Sequence, residues 1–152
     1  MDMMQNPKIF KRTDLWREGE WLDLWSVVHF FSGSLIGLGF YFLHVGAFAG
    51  VMLALTLLIA YEMWERLMQM EETFANGCMD VVVGMFSFLL TFFMLAPLLS
   101  GAVLLCVFGF VLGVDTVMSV FGWRASQKAA ALKKRMRARL QKHFGSIVKR
   151  RF

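Results

Sequence analysis

Four runs of predominantly apolar residues, at about 22–43, 47–68, 77–95 and 102–121, leave this chain few ways to fold. Each is close to the ~20 residues that a helix needs to cross a bilayer core. Lipid offers no water to unpaired N–H and C=O groups, so only helices or a closed barrel satisfy the backbone there. The runs lack the period-two alternation of barrel strands, and only 2 prolines occur in 152 residues. The hydrophobic fraction of 58% and the 16 Phe are too apolar for a soluble domain of this length. The expected class is an all-α, polytopic membrane protein with a four-helix bundle over 22–121. An interfacial segment, 1–21, precedes it, and a basic amphipathic helix, 122–152, follows it.

The connections set the topology. His44-Val45-Gly46 is too short for anything but an antiparallel return, and Pro97, Ser100 and Gly101 make a second tight turn. A longer polar loop separates the second and third runs, which gives an up-down-up-down bundle. Four of the sixteen Lys and Arg (Lys8, Lys11, Arg12, Arg17) precede the first run. Arg66 ends the second, and the other eleven follow Phe121. All lie on one side, which the positive-inside rule makes cytoplasmic, with both termini there. The N-terminal segment shows no short apolar core with a small-residue cleavage site, so the first run reads as an uncleaved anchor. Trp16 and Trp21 suit headgroup level. The expected location is a bacterial inner membrane.

Between the second and third runs the stretch Tyr61–Gly84 carries five of the eleven acids. Glu62 and Glu65 share a helix face, as do Asn76 and Asp80. The topology returns Asp23, His29, Glu62, Glu65, Asp80 and Asp115 to one side of the membrane. Ionisable groups in membrane helices are costly and are candidates for function by default. His29, Glu62, Glu65 and Asp80 together suit a divalent ion such as zinc, manganese or iron. Without a metal, His29 and an acid could exchange protons.

A purely structural account stands beside this. Asp23 and Asp80 would cap the first and third helices. Glu62 would pair with Arg66 at i+4. Glu65 would sit among headgroups, and Glu71 and Glu72 in a solvated loop. His29 would bond a neighbouring helix, and His44 would be solvated in its turn. Cys78 and Cys106 fall at different depths, so no disulfide is expected. The GxxxG pairs Gly33/Gly37, Gly46/Gly50 and Gly109/Gly113 support close helix packing and weakly support oligomerisation. Ser32, Ser34, Ser87 and Thr91 are positioned for interhelical hydrogen bonds.

The tail reads as a helix with Leu132, Met136, Leu140 and Phe144 at i+4 intervals, interrupted at Gly145. Lys133, Lys134, Arg135, Arg137, Arg139 and Lys142 fill its other faces. Such a helix suits anionic lipid; a protein partner and nucleic acid are the alternatives.

The pattern Asp23-x5-His29-Phe30 with Gly33, Tyr61-Glu62-x2-Glu65 and Asp80-x3-Gly84 resembles small bacterial YjdF-like membrane proteins. These are similar in turn to the VanZ-like proteins associated with glycopeptide resistance. The resemblance covers about residues 23–84. The acidic, glycine-containing stretch expected before the last Asp is reduced to Glu71, Glu72, Asn76 and Gly77. It implies a compact inner-membrane protein with a shared polar site, and no particular reaction. Asp115 has no place in that pattern.

No P-loop, GxSxG, HExxH or CxxC is present. The expected function is a membrane scaffold or sensor whose basic tail engages anionic lipid or a protein, in a homo-oligomer or membrane complex. The alternative is a metal-dependent or acid-base hydrolase or transferase acting on a lipid or envelope precursor at the inner leaflet. A small oligomeric ion or proton channel is the third reading.

Overall fold

A computed structural model describes residues 15–16, 21–68 and 73–149, the side chains of 137 and 139–149 excepted. The described residues are helical, with no strand among them. Helix α1 is Leu24–Phe42, α2 Ala47–Leu67, α3 Phe74–Leu89 and α4 Gly101–Lys149. After Leu89 the third helix widens into a π-helical stretch, Leu90–Leu95, and ends in a 3-10 turn, Ala96–Leu98. Pro97 supplies the reason: it lacks an N–H, and its ring would strike the carbonyl one turn back. Four segments are long and apolar enough to cross a membrane: Leu24–Phe42, Ala47–Leu67, Phe74–Leu98 and Gly101–Met136. Their outward faces are apolar, with Phe48 83% and Phe110 71% exposed, as lipid-facing surfaces should be.

Local chemistry fixes the helix ends. Asp23 accepts hydrogen bonds from the Trp25 and Ser26 N–H groups, and Ser26 Oγ accepts from the Asp23 N–H, a complete capping box. The first turn of α3 is capped by Thr73, whose Oγ1 accepts from the Asn76 N–H at 3.1 Å. Asp80 therefore does not cap α3, as the structural account expected; it lies two turns in. The α1–α2 turn is a Schellman motif, with the Val45 N–H on the Phe40 carbonyl and the His44 N–H on that of Tyr41. His44 occupies the left-handed position at φ 53°, where Gly is normal. His44→Gly is expected to stabilise the bundle by about 1 kcal/mol, read by thermal unfolding in detergent.

Helix α1 is the hub: 44% of its span is buried, against 22%, 33% and 6% for the spans of α2, α3 and α4. The closest backbone approach joins α1 to α3, which run in the same direction, rather than the two arms of the first hairpin. A Cβ on Gly33 would land on the Gly84 carbonyl oxygen, and one on Gly37 would meet the Phe88 oxygen at 3.1 Å. Ser87 Oγ donates to the Phe30 carbonyl at 2.6 Å and pairs with Ser34 Oγ at 2.6 Å, with Thr91 Oγ1 on Ser34 at 3.4 Å. The other GxxxG pairs behave differently. Gly50 has only ordinary contacts, and Gly46, Gly109 and Gly113 border open space.

Two apolar clusters fill the half of the bundle nearest the short turns. One is Ala54, Phe88 and Phe92 between α2 and α3, under Phe40 and Ile36 of α1. The other is Leu38, Ala96 and Leu104, where α4 meets α1. The apolar span and the basic tail form one unbroken helix from Gly101 to Lys149. It passes through Gly145, where an interruption was expected. Its 49 residues reach about 73 Å, more than twice the ~30 Å bilayer core. Cys78 and Cys106 are free and exposed. Lys8, Lys11, Arg12, Arg17, Glu71 and Glu72 lie outside the described residues, as do the side chains of Arg137, Arg139, Leu140, Lys142 and Phe144.

Candidate metal centre

At the end of the bundle that carries the tail, α1, α2 and α3 each contribute to one buried polar cluster. Helix α1 brings His29, fully buried, nearly two turns beyond the Asp23 cap. Helix α2 buries the stripe Gly50, Ala54, Leu58, Glu62 and Glu65, apolar in its depth and acidic at its end. Helix α3 buries Asn76, Gly77, Asp80, Gly84, Ser87 and Phe88. The parallel α1–α3 contact at Gly33 and Gly84 places His29 and Asp80 at matching depth.

Two expectations of the structural account are overturned here. Glu62 turns from Arg66 to His29, with Oε1 2.9 Å from Nε2, while the Arg66 guanidinium stands over Phe74, 5.4 Å from the ring centre. Glu65 is 4% exposed and does not sit among headgroups. At 100° per residue, Arg66 falls roughly a quarter-turn off the middle of the buried stripe, so the rotation of α2 that buries Glu62 and Glu65 leaves Arg66 exposed.

His29 Nδ1 lies 3.0 Å from the Trp25 carbonyl oxygen, which can only accept, so Nδ1 carries the hydrogen. In the neutral ring Nε2 then presents a lone pair to Glu62 Oε1. The contact is close, an ion pair when the ring is protonated, yet neither atom makes an aligned hydrogen bond. Glu62 Oε2 and Glu65 Oε1 are also buried without partners. Two lone pairs facing one another in an apolar interior are costly, and either a proton or a metal ion between them relieves the cost.

The cluster also fits an ion in composition. Ligand atoms of His29, Glu62 and Asp80 all lie within 4.8 Å of one another. Bonds of ~2.0–2.2 Å to one ion set its ligands roughly 3–3.5 Å apart, so the spread is slightly open. Imidazole nitrogen with two carboxylate oxygens suits zinc, manganese or iron. Charge points the same way, since Glu62, Glu65 and Asp80 are buried with one imidazole among them. With all three acids ionised, even a protonated His29 would leave two negative charges, which a divalent ion or protonation of the acids would offset. The Nδ1–H donated to a carbonyl is the usual second-shell support of a metal-bound His.

Around this core, Asp80 accepts a short hydrogen bond from Ser26 Oγ, and Asn76 Nδ2 lies 3.3 Å from both Asp80 Oδ2 and Asp23 Oδ2. Tyr61 packs edge-on to His29 at 5.1 Å and is the hydroxyl neighbour of Glu65. Asp115 of α4 is half-buried and accepts from Ser32 Oγ at 3.1 Å, outside the triad. Aromatic rings roof the site: Tyr61 stacks on Trp64, and Trp64 on Trp123 of α4 at 5.3 Å. Trp16 and Trp25 close over Gly122, where a Cβ would meet them at 2.6 and 2.9 Å.

Ser26, Trp64 and Trp123 were not singled out from the sequence. Ser26 had a signal, three residues after Asp23 and three before His29; the stacking of two distant indoles had none. Of the tail candidates whose side chains are described, Lys134 and Arg135 are exposed and Lys133 is half-buried. No protein-family model, no curated protein and no solved structure matches the chain.

Proposed function

We propose that this protein is a membrane-embedded, metal-dependent hydrolase or transferase acting on a lipid-borne ester or phosphate. The observation that carries the reading is the set of buried, unpartnered lone pairs on His29 Nε2, Glu62 and Glu65, which converge from two helices where a third supplies Asp80. His29, Glu62 and Asp80 would hold the ion, and Glu65 would stand beside it as proton acceptor. A divalent ion there supplies Lewis acidity and the activation of water near neutral pH. Glu65, buried next to Tyr61, takes the proton that water loses and returns it to the leaving oxygen.

The positive-inside asymmetry supports a cytoplasmic site in a bacterial inner membrane, under the headgroups of the inner leaflet. The YjdF-like and VanZ-like resemblance is consistent with this, because Asp23, His29, Gly33, Glu62, Glu65, Asp80 and Gly84 are the residues that build or position the cluster. A channel has less support: towards the short turns the buried clusters are Leu38, Ala96 and Leu104 and Ala54, Phe88 and Phe92, all apolar.

The test is turnover in vesicles. Full-length protein loaded with zinc or manganese is offered phospholipids and polyprenyl phosphates, and the release of water-soluble product is followed. Product that disappears with a chelator and in Glu65→Gln supports the reading; no turnover by metal-loaded protein on any of them contradicts it.

The tail favours a second role, compatible with the first. A helix continuous with its span leaves the bilayer along the span's direction, so most of its basic faces meet the aqueous side. That geometry favours a protein partner over the membrane plane, with only Arg124 and Lys128 at headgroup level. Homo-oligomerisation remains a separate proposal, tested by mass measurement of the detergent-solubilised protein.

A further inference from the structure

The three ligands are not held alike. Glu62 has no hydrogen bond on either carboxylate oxygen. Asp80 is gripped on both: Ser26 Oγ donates to Oδ1, and Asn76 Nδ2 is 3.3 Å from Oδ2. The donors come from different helices, so the Asp80 carboxylate cannot turn about its own axis without losing one.

The ring around it has a fixed sense. The Asp23 N–H donates to Ser26 Oγ at 3.2 Å, which leaves the Ser26 hydrogen for Asp80. The two Asn76 amide hydrogens go to Asp23 Oδ2 and Asp80 Oδ2. Turning the amide over would aim Oδ1 at two carboxylates, so the donating orientation is the one that suits ionised acids, and it leaves Asn76 Oδ1 buried without a hydrogen bond. The side-chain protons of Ser26 and Asn76 are all given to carboxylate oxygens, so Asp80 accepts on both of its oxygens, as an ionised metal ligand would.

Resting on the metal reading, the geometry points to Asn76 and Ser26 as positioning residues that preset Asp80 as the rigid ligand, with Glu62 the arm that closes on the ion. The division fits the open 4.8 Å spread of the triad, because the ligand without hydrogen bonds is the one free to move. Asn76 is 1% exposed, so its place in the ring is internal and unshared with solvent. Helix anchoring alone would make Asn76 and Thr73 equivalent, since both secure the first turn of α3. Only Asn76 touches Asp80.

The test is manganese and zinc affinity of the full-length, detergent-solubilised protein, by competition with a chromophoric chelator. Asn76→Ala is expected to weaken binding about 10–100-fold, the usual cost of an outer-shell partner. Ser26→Ala should weaken it in the same way and keeps the question open to test if Asn76→Ala does not fold. Thr73→Ala loosens the same helix end without touching Asp80 and should bind as wild type does. Wild-type affinity in both Asn76→Ala and Ser26→Ala, or an equal loss in Thr73→Ala, overturns the inference. Wild-type protein that binds neither ion refutes the metal reading instead, a result visible before any variant is compared.

Discussion

Glu62→Gln is expected to abolish metal binding and yet to make the metal-free protein more stable, by about 1–3 kcal/mol. The variant removes a buried carboxylate that has no hydrogen bond on either oxygen. It supplies instead a neutral amide beside His29 Nε2, where the carboxylate oxygen stood 2.9 Å away. An ordinary buried ion pair between Glu62 and an imidazolium gives the opposite sign. Breaking such a pair leaves an unmatched charge and costs about 3–5 kcal/mol. Thermal unfolding of metal-free wild type and variant, with metal content measured on the same samples, separates the two. His29→Ala should lose the ion as well, by more than the 10–100-fold expected of an outer-shell change. A less stable Glu62→Gln would return the cluster to the structural account.

Gly33→Ala is the second large effect, about 3 kcal/mol of destabilisation. Its Cβ would meet the Gly84 carbonyl oxygen, a backbone atom that moves only if α1 and α3 separate. Gly84→Ala should cost less, because its new methyl meets the Leu58 side chain, at 2.8 Å, and that chain can shift. Gly109→Ala faces open space and should change stability by no more than ~0.5 kcal/mol. Denaturant unfolding in micelles would rank them; equal effects of Gly33→Ala and Gly109→Ala would show that the α1–α3 contact is not as close as described. Gly33 lies one turn from His29 and Gly84 one turn from Asp80, so parting these helices would also spread the ligands. Lower metal affinity should accompany the lost stability.

Much of the architecture could be read from the chain, because hydropathy over ~20 residues is a strong signal. The limits of the helices were harder. The third helix starts at Phe74 under the Thr73 cap rather than near Gly77, and reaches Leu98 through the π-helical stretch ahead of Pro97. The change in composition after Phe121 looked like the end of a helix. It is a change of surroundings only, since Ala129–Leu132 are good helix formers and one Gly at 145 costs just ~1 kcal/mol.

The site was legible as a set of residues and not as a geometry. Topology alone returned His29, Glu62, Glu65 and Asp80 to one end of the bundle. Whether the acids faced inward depended on the rotation of α2, and the polar run Tyr61–Met68 resembled an interfacial end. The stripe Gly50, Ala54, Leu58 carries straight on to Glu62 and Glu65, and following it would have put both acids inside. The pairing of Glu62 with Arg66 rested on a local preference worth ~0.2–0.5 kcal/mol, too little to oppose tertiary packing. The asymmetric grip on Asp80 had no sequence signal beyond the Asp23/Ser26 and Asn76/Asp80 spacings, because it arises where two helix starts meet.

The central claim is that His29, Glu62 and Asp80 hold a metal ion, and metal content of the purified wild-type protein tests it most directly. Plasma mass spectrometry on protein prepared without chelators should find close to one zinc, manganese or iron per chain, and almost none in His29→Ala or Glu62→Gln prepared alongside. Wild-type protein that stays metal-free after incubation with each ion, while folded by thermal unfolding, would contradict it.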